Sequence, residues 1–181
     1  IRGRLPLNSG VIPARAAFGG LMQSKEHWEN VYTTKATDAV SWFQEHAENS
    51  LRLILQTGVP LSASIIDIGG GASTLVDDLL AKGYSNLSVL DLSAAALSAS
   101  QSRLGAKAND VNWVVADITK ADLPAQSYDV WHDRAVFHFL TSAEDRQAYV
   151  QTVLQAVKPG GHVIVATFAE DGPLQCSGLP V

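Results

Sequence analysis

Residues 64–80 read SIIDIGGGASTLVDDLL, and this stretch decides the fold. Ile65, Ile66 and Ile68 form a short β-branched run that is typical of a buried parallel strand. Three glycines follow, and Ser73 stands before a helical pattern of leucines. We therefore predict a strand, a tight glycine turn and a helix that begins at Ser73. Such a turn lets the backbone approach a ligand closely, and the free N–H groups of the helix start suit a nucleotide-like ligand.

The rest of the chain alternates between strand and helix patterns. Predicted strands end at Asp91, Asp117 and near Asp133, and HVIVATFA at residues 162–169 is the fifth strand. Ser93 and Ser142 are predicted N-caps of the helices between them. The pattern predicts an α/β fold with a doubly wound, mostly parallel sheet and a ligand site at the carboxyl ends of its strands.

The region before the first strand predicts helices. Residues 1–21 have no sustained period, so we expect a flexible arm, or one added upstream of a native start at Met22. An ordered arm that closes over the site is the alternative, and a single domain follows over 22–181. Ser24 is the expected cap of a helix, and a third helix ends at Gly58. The first helix carries Trp28, Val31 and Tyr32 on one face, and the second, from Asp38, carries Val40, Trp42 and Phe43, of which Phe43 is expected in the core.

Composition restricts the class of protein. The chain has 181 residues, is 46% hydrophobic and 17% charged, and so fits one domain with a full core. No run approaches the roughly 20 apolar residues of a membrane span, so we expect no membrane partner and a cytoplasmic protein. Cys176 is the single cysteine, which excludes an internal disulfide, and no His, Asp or Glu spacing suggests a metal site.

The formal charge of -5 is unevenly distributed. Residues 1–21 carry three arginines and no acidic residue, so the remainder of the chain is more acidic than the whole. An acidic domain is a poor electrostatic match to a phosphate backbone. We therefore expect no nucleic-acid partner.

Four aspartates fall at or just beyond predicted strand ends: Asp67, Asp91, Asp117 and Asp133. Each alone is most simply a turn residue or helix cap, but all four are predicted at one edge of the sheet. Asp91 follows the glycine turn by about 20 residues, the spacing at which a carboxylate accepts hydrogen bonds from ribose hydroxyls. A nicotinamide-dependent oxidoreductase shares this spacing, although Thr74 stands where its fingerprint has a last glycine.

The turn Asp67-Ile68-Gly69-Gly70-Gly71 resembles the acidic-x-Gly-x-Gly signature of class I S-adenosylmethionine-dependent methyltransferases. The resemblance runs from about Trp28 to the end of the chain and implies a Rossmann-like methyltransferase fold with N-terminal helices. Further matches follow in order at Asp91, Asp117-Ile118, Tyr128-Asp129-Val130, Val136-Phe137-His138-Phe139-Leu140 and Lys158-Pro159-Gly160-Gly161.

The resemblance also implies which residues contact S-adenosylmethionine. The leading helix, with Trp42, resembles the branch that contains some protein-lysine methyltransferases and adds an aromatic pair. The implied cofactor contacts are Trp28, Tyr32, Asp67, Gly69, Gly70, Gly71, Ser73, Asp91, Leu92, Asp117, Ile118 and Arg134.

Two departures from the family pattern have consequences. Ser73 replaces the third glycine of the turn, and its hydroxyl is expected to cap the helix. The two strands that usually complete the sheet are lacking after the fifth strand. That strand is then an exposed edge, which a homodimer contact, a swapped segment or the rest of a longer protein would cover.

The resemblance places substrate near His132, Asp133, Arg134 and His138. Asp133 and His132 are the candidate catalytic residues, Asp133 to accept a proton or orient an amine and His132 as a base. Arg134 is expected to neutralise a carboxylate of cofactor or substrate. His132 is equally well a residue bonded within the sheet, and packing is the simpler role for His138.

The sequence leaves three functions open. The first is an S-adenosylmethionine-dependent methyltransferase that acts on a small molecule or a protein side chain. The second is a cofactor-binding domain without catalysis, and the third is a nicotinamide-dependent oxidoreductase.

Overall fold

A computed structural model describes residues 15–34 and 43–181, with side chains from residue 25 onward in the first range. The helices are α1 (Arg15–Thr34), α2 (Glu48–Gln56), α3 (Leu75–Ala81), α4 (Ala94–Leu104) and α5 (Ala143–Ala156). The strands are β1 (Ser64–Ile68), β2 (Asn86–Asp91), β3 (Val111–Val115), β4 (Tyr128–Arg134), β5 (Val157–Ala166), β6 (Gln175–Cys176) and β7 (Leu179–Pro180). Short 3₁₀ helices cover Gly105–Asp110 and Phe137–Phe139.

The main sheet has five strands in the order β3-β2-β1-β4-β5, and every pair in it is parallel. This confirms the predicted doubly wound sheet. The strand order reverses between β1 and β4, and ligands of such sheets bind in the crevice at the carboxyl ends of the strands on either side of that point. Strands β6 and β7 form a separate antiparallel pair that the sequence patterns did not predict.

Hydrophobic side chains cover both faces of the sheet. Because successive side chains of a strand point to opposite faces, β1 sends Ile65 to one face and Ile66 and Ile68 to the other. Helices α2, α3 and α4 cover the first face, with Ile54, Leu75 and Leu97 in its core. Helix α5 covers the second face, with Tyr149 and Val153 packed against Trp131.

The N-terminal predictions require correction. Helix α1 begins at Arg15, ahead of Met22, so Ser24 lies inside the helix and is not its cap. Residues 1–14 and 35–42, and with them Trp42 and the start of the helix predicted from Asp38, lie outside the described residues. Phe43 was expected in the core, but it is 36% exposed.

Several element boundaries also differ from the prediction. Strand β3 ends at Val115, so Asp117 lies in the turn that follows it. Strand β5 begins at Val157, ahead of the predicted His162, through an irregular register with β4. Helix α3 begins at Leu75, and its N-cap position is Thr74, not Ser73. Ser93 and Ser142 are confirmed as caps, since each side chain accepts a backbone N–H.

Strand β5 is an edge of the sheet, as expected. Its side chains Val163 and Val165 are 48% and 42% exposed, and Phe168 just beyond it is 40% exposed. Within the described residues, no helix has the length and apolar character needed to cross a bilayer.

Candidate active site at the carboxyl ends of the strands

The glycine turn fits its surroundings only as glycine. Gly69 has φ +67°, a left-handed conformation, and its N–H donates to the Leu90 carbonyl over 2.7 Å. A Cβ on Gly69 would collide with the Val136 side chain, and one on Gly70 would collide with the Asp67 carboxylate. Side chains of β1 and of the segment after β4 therefore pack directly against the turn.

Asp91 ties the glycine turn to the end of β2. Its Oδ2 accepts the Gly71 N–H at 3.0 Å, and its Oδ1 accepts the Ser93 N–H at 2.8 Å. Burial raises the pKa of Asp91 to about 6, against the lowering effect of these two N–H groups. Each carboxylate oxygen keeps a lone pair for another donor, so the group can still accept ribose hydroxyls. The neighbouring Leu92 is half-buried.

Ser73 supports the turn differently from the prediction. Its hydroxyl oxygen accepts the Leu75 N–H at 3.2 Å, and its carbonyl accepts a hydrogen bond from Arg103 at 2.8 Å. The Thr74 hydroxyl donates to the Gln44 carbonyl over 3.0 Å. Ser73 is therefore part of the turn, while the start of α3 is attached to the segment before α2.

Asp117 and Ile118 follow β3 on the far side of β2. Asp117 Oδ1 accepts both the backbone N–H of Thr119 at 3.0 Å and its hydroxyl at 2.7 Å. Ile118 is 5% exposed and packs in the core on the α5 side. Asp117 thus has the turn role that its residue type alone suggests.

Helix α1 connects the β2 side of the site to the β4 side. Glu29 accepts the N–H groups of Ala94 at 2.7 Å and Ala95 at 3.2 Å, so it caps the first turn of α4 from outside. The Trp28 ring packs edge-on against Phe139, with centroids 5.4 Å apart, and is stacked with Tyr32 at 6.3 Å. The predicted aromatic pair therefore lies beside the crevice between the two loops.

His132 lies inside the sheet beneath the glycine turn. It is the register partner of Asp67, and its Nδ1 is 2.7 Å from Asp67 Oδ1. Both side chains are almost fully buried. This geometry fits the alternative of a histidine bonded within the sheet. It does not bring His132 to a position where it could contact a methyl-accepting substrate.

Asp133 is fully buried, and its interactions fix the loop after β4. Its Oδ1 accepts the Val136 N–H at 2.8 Å, and its Oδ2 accepts the Phe137 N–H at 3.1 Å and the Tyr149 hydroxyl at 2.7 Å. Burial raises the pKa of Asp133 to about 6 and that of Tyr149 above its ordinary value. Asp133 is 0% exposed and accepts three donors of the protein, so in this structure it positions the loop after β4, and its role as a proton acceptor stays a prediction.

Arg134 was expected to meet a carboxylate, but its guanidinium donates to Gln44 Oε1 over 2.7 Å. Together with the Thr74 bond, this holds the segment before α2 near the carboxyl edge of the sheet. No group of three or more His, Cys, Asp and Glu residues suited to a metal ion occurs among the described side chains.

The contacts of Glu29 with α4, of Val136 with Gly69 and of Tyr149 with Asp133 were not predicted. Glu29 stands next to Trp28 on α1, but its role depends on the start of α4, which is 65 residues away along the chain. Val136 fills the space that a Cβ on Gly69 would need, and no sequence pattern shows that contact.

The described residues fit S-adenosylmethionine. The carboxyl ends of the strands carry a turn without Cβ atoms and a buried carboxylate with free lone pairs, and the aromatic pair of α1 contacts the loop after β4 through Phe139. The turn and Asp91 are the groups that could hold the cofactor, while contacts of Leu92, Asp117 and Ile118 with adenine stay a prediction.

Known proteins resemble this chain in sequence. Residues 65–161 match the family model described as "Methyltransferase domain". The chain is 24% identical over 183 residues to EEF1A lysine methyltransferase 2 of Mus musculus, covering 88% of this chain and 75% of the relative.

Solved structures share the fold. Phosphoethanolamine N-methyltransferase 1 of Haemonchus contortus, solved with phosphoethanolamine and S-adenosylhomocysteine, is 15% identical with a TM-score of 0.65 and covers 88% of this chain. This chain spans only 34% of that one. A structure described as the DhpI-SAM-HEP complex is 16% identical with a TM-score of 0.65, covering 84% of this chain and 68% of its own.

Proposed function

Because the chain belongs to the class I S-adenosylmethionine-dependent methyltransferases, we propose that it transfers the methyl group of that cofactor to the side-chain amine of a protein lysine. The observation that carries the transferase part is the glycine turn held by Asp91 through the Gly71 N–H. The names of the relatives support the lysine part, since the mouse relative is a lysine methyltransferase of EEF1A.

The charge of the chain supports a basic acceptor. A net charge of -5 attracts a protein surface rich in lysine and disfavours a nucleic acid. The aromatic rings of Trp28 and Phe139, packed edge-on beside the crevice, suit the alkyl stem and the ammonium of a lysine. These features favour a protein side chain over a small anionic molecule.

Methyl transfer from a sulfonium requires little covalent chemistry from the protein. S-adenosylmethionine supplies an activated methyl group when it is bound, and the residues of the chain have to align the amine with it. The Asp133 network holds the loop after β4 in one position for this purpose. A lysine ammonium must also lose a proton before its nitrogen can react.

The test is methylation of purified elongation factor 1A by the chain with isotopically labelled S-adenosylmethionine, read by mass spectrometry of its peptides. Label on a lysine supports the proposal. Label on phosphoethanolamine but on no protein would replace the lysine acceptor by a small amine. Cofactor binding without any transfer would favour the non-catalytic domain, and binding of NAD(H) alone would favour the oxidoreductase. Asp91→Ala serves as the control without the cofactor site.

The cytoplasmic location and the homodimer through β5 are also proposals. The exposed Val163 and Val165 of the β5 edge support a contact between copies. Light scattering after gel filtration tests the dimer, and Val163→Lys is expected to dissociate it. A monomeric wild-type chain would contradict the dimer.

A further inference from the structure

The loop after β4 brings one unused imidazole to the site. Asp133 holds Val136 and Phe137 by their N–H groups, and Val136 occupies the space next to Gly69. His138 follows directly in the 3₁₀ turn Phe137–Phe139. It therefore belongs to the same loop as Val136, which lies next to Gly69.

The His138 ring lies among aromatic side chains. Its centroid is 4.4 Å from that of Phe139, edge to face, and 4.7 Å from that of Phe168. Phe139 in turn contacts Trp28 of α1 at 5.4 Å. The ring is therefore packed between two aromatic side chains.

Both ring nitrogens of His138 are buried and have no hydrogen-bond partner within 25–34 and 43–181. Buried polar groups in folded proteins are almost always paired, and leaving a donor and an acceptor unpaired costs free energy. Burial also lowers the pKa of His138, which keeps the imidazole neutral near pH 7. A neutral imidazole has one nitrogen free to accept a proton.

The other two unpaired histidines fit this role less well. His132 is unpaired at Nε2 only, and its Nδ1 is already used by Asp67 within the sheet. His27 is unpaired at Nε2 and packs against Trp28 on α1. His138 alone of the three lies in the loop after β4 that contacts the glycine turn.

We propose that His138 is a catalytic residue that receives a proton from the ammonium group of the acceptor amine. This rests on the proposed function. An N–H bond of the ammonium breaks, its electron pair stays on the amine nitrogen, and the proton bonds to the free imidazole nitrogen. The amine can then react through its lone pair, and the imidazolium later releases the proton to solvent.

Binding of a probe tests this independently of turnover. With S-adenosylhomocysteine present, Nα-acetyl-lysine methylamide is titrated into the full chain while the ring ¹⁵N signals of His138 are observed by NMR. We expect one His138 ring nitrogen to shift with the probe, with unchanged signals for the exposed His162. Unchanged His138 signals at saturating probe would overturn the proposal and leave a bound water as the partner of the ring.

Substitution gives the second measurement. His138→Phe removes both unpaired nitrogens and keeps a ring between Phe139 and Phe168, so we expect no loss of melting temperature and no more than a twofold change in S-adenosylhomocysteine affinity. Probe binding and methylation of the acceptor should each fall at least tenfold, whereas His162→Phe should change neither. Retention of both by His138→Phe overturns the proposal. If the wild-type chain binds the probe at His138 but methylates no lysine, the lysine function fails while the amine site stands.

Discussion

Asp91 and Asp133 stand on two strands at the same edge of the sheet, yet they organise two different regions. Asp91 joins the loop after β1 to the loop after β2, since it accepts N–H groups from Gly71 and Ser93. Asp133 accepts N–H groups from Val136 and Phe137, both in its own loop, and adds the Tyr149 hydroxyl. The first arrangement leaves acceptor capacity toward the crevice, and the second uses the carboxylate for structure.

This difference shows that the position of a carboxylate at a strand end does not by itself define a role. Burial raises the pKa of both groups to about 6, so protonation behaviour does not distinguish them either. Their hydrogen-bond partners do, and substitutions should separate the two regions.

The largest effect is expected for stability in the β4 region. Asp133→Asn keeps the shape of the side chain but faces an N–H₂ group toward the Phe137 N–H and the Tyr149 hydroxyl. We expect the free energy of unfolding to fall by about 3 kcal/mol in urea denaturation, because buried donors lose their acceptor. If Asp133→Asn has the stability of the wild type but loses affinity for the cofactor, Asp133 does not have the structural role that distinguishes it from Asp91.

The second effect concerns cofactor affinity in the β2 region. Asp91→Ala should weaken S-adenosylhomocysteine binding at least about tenfold, or roughly 1.4 kcal/mol, by calorimetry. Asp129→Ala is the matched control, because Asp129 also accepts a backbone N–H, that of Ser64 at 2.8 Å, but at the opposite edge of the sheet. Equal losses in both variants would show that Asp91 acts only through folding.

The third effect is a pH dependence that should belong to Asp91 alone. Ribose hydroxyls donate to the ionised carboxylate, and its pKa of about 6 predicts that affinity falls about tenfold between pH 7 and pH 5. Calorimetry in two buffers should detect proton release on binding at pH 6. A variant with Asp91→Asn should show neither, and a retained pH dependence in it would assign the effect to another group.

The same pKa shifts act in the opposite direction on the chain without cofactor. The folded-state pKa values of Asp91 and Asp133 lie above the ordinary aspartate value of 3.8. Their contribution to folding is therefore fully present below about pH 4 and is lost as the pH rises through about 6.

The smallest effect is expected where α1 connects the two regions. Glu29→Ala removes the acceptors of the Ala94 and Ala95 N–H groups, which should cost about 1 kcal/mol and roughly fivefold in cofactor affinity. Hydrogen exchange of α1 should increase in parallel. Glu26→Ala, on the same helix and exposed, is the control that should change neither.

Local patterns in the sequence predicted most of the fold. The β-branched run at Ile65–Ile68, the glycine turn and the capping residues Ser93 and Ser142 act over a few residues, so they define strands and helices without knowledge of the remainder. The helix boundaries near Ser24 and Ser73 were wrong, because α1 continues from Arg15 and the start of α3 is fixed by tertiary contacts of Thr74.

The sequence by itself determined the doubly wound sheet, the glycine turn and the family, because each depends on local residue types in a fixed order. Tertiary structure alone decided which strand-end groups face the crevice. Asp133 forms hydrogen bonds with Tyr149 and with its own loop, and His132 forms one with Asp67. Glu29 contacts the start of α4, which lies far away along the chain. Hydrogen-bond partners across such distances are set by packing, and no spacing within the sequence records them.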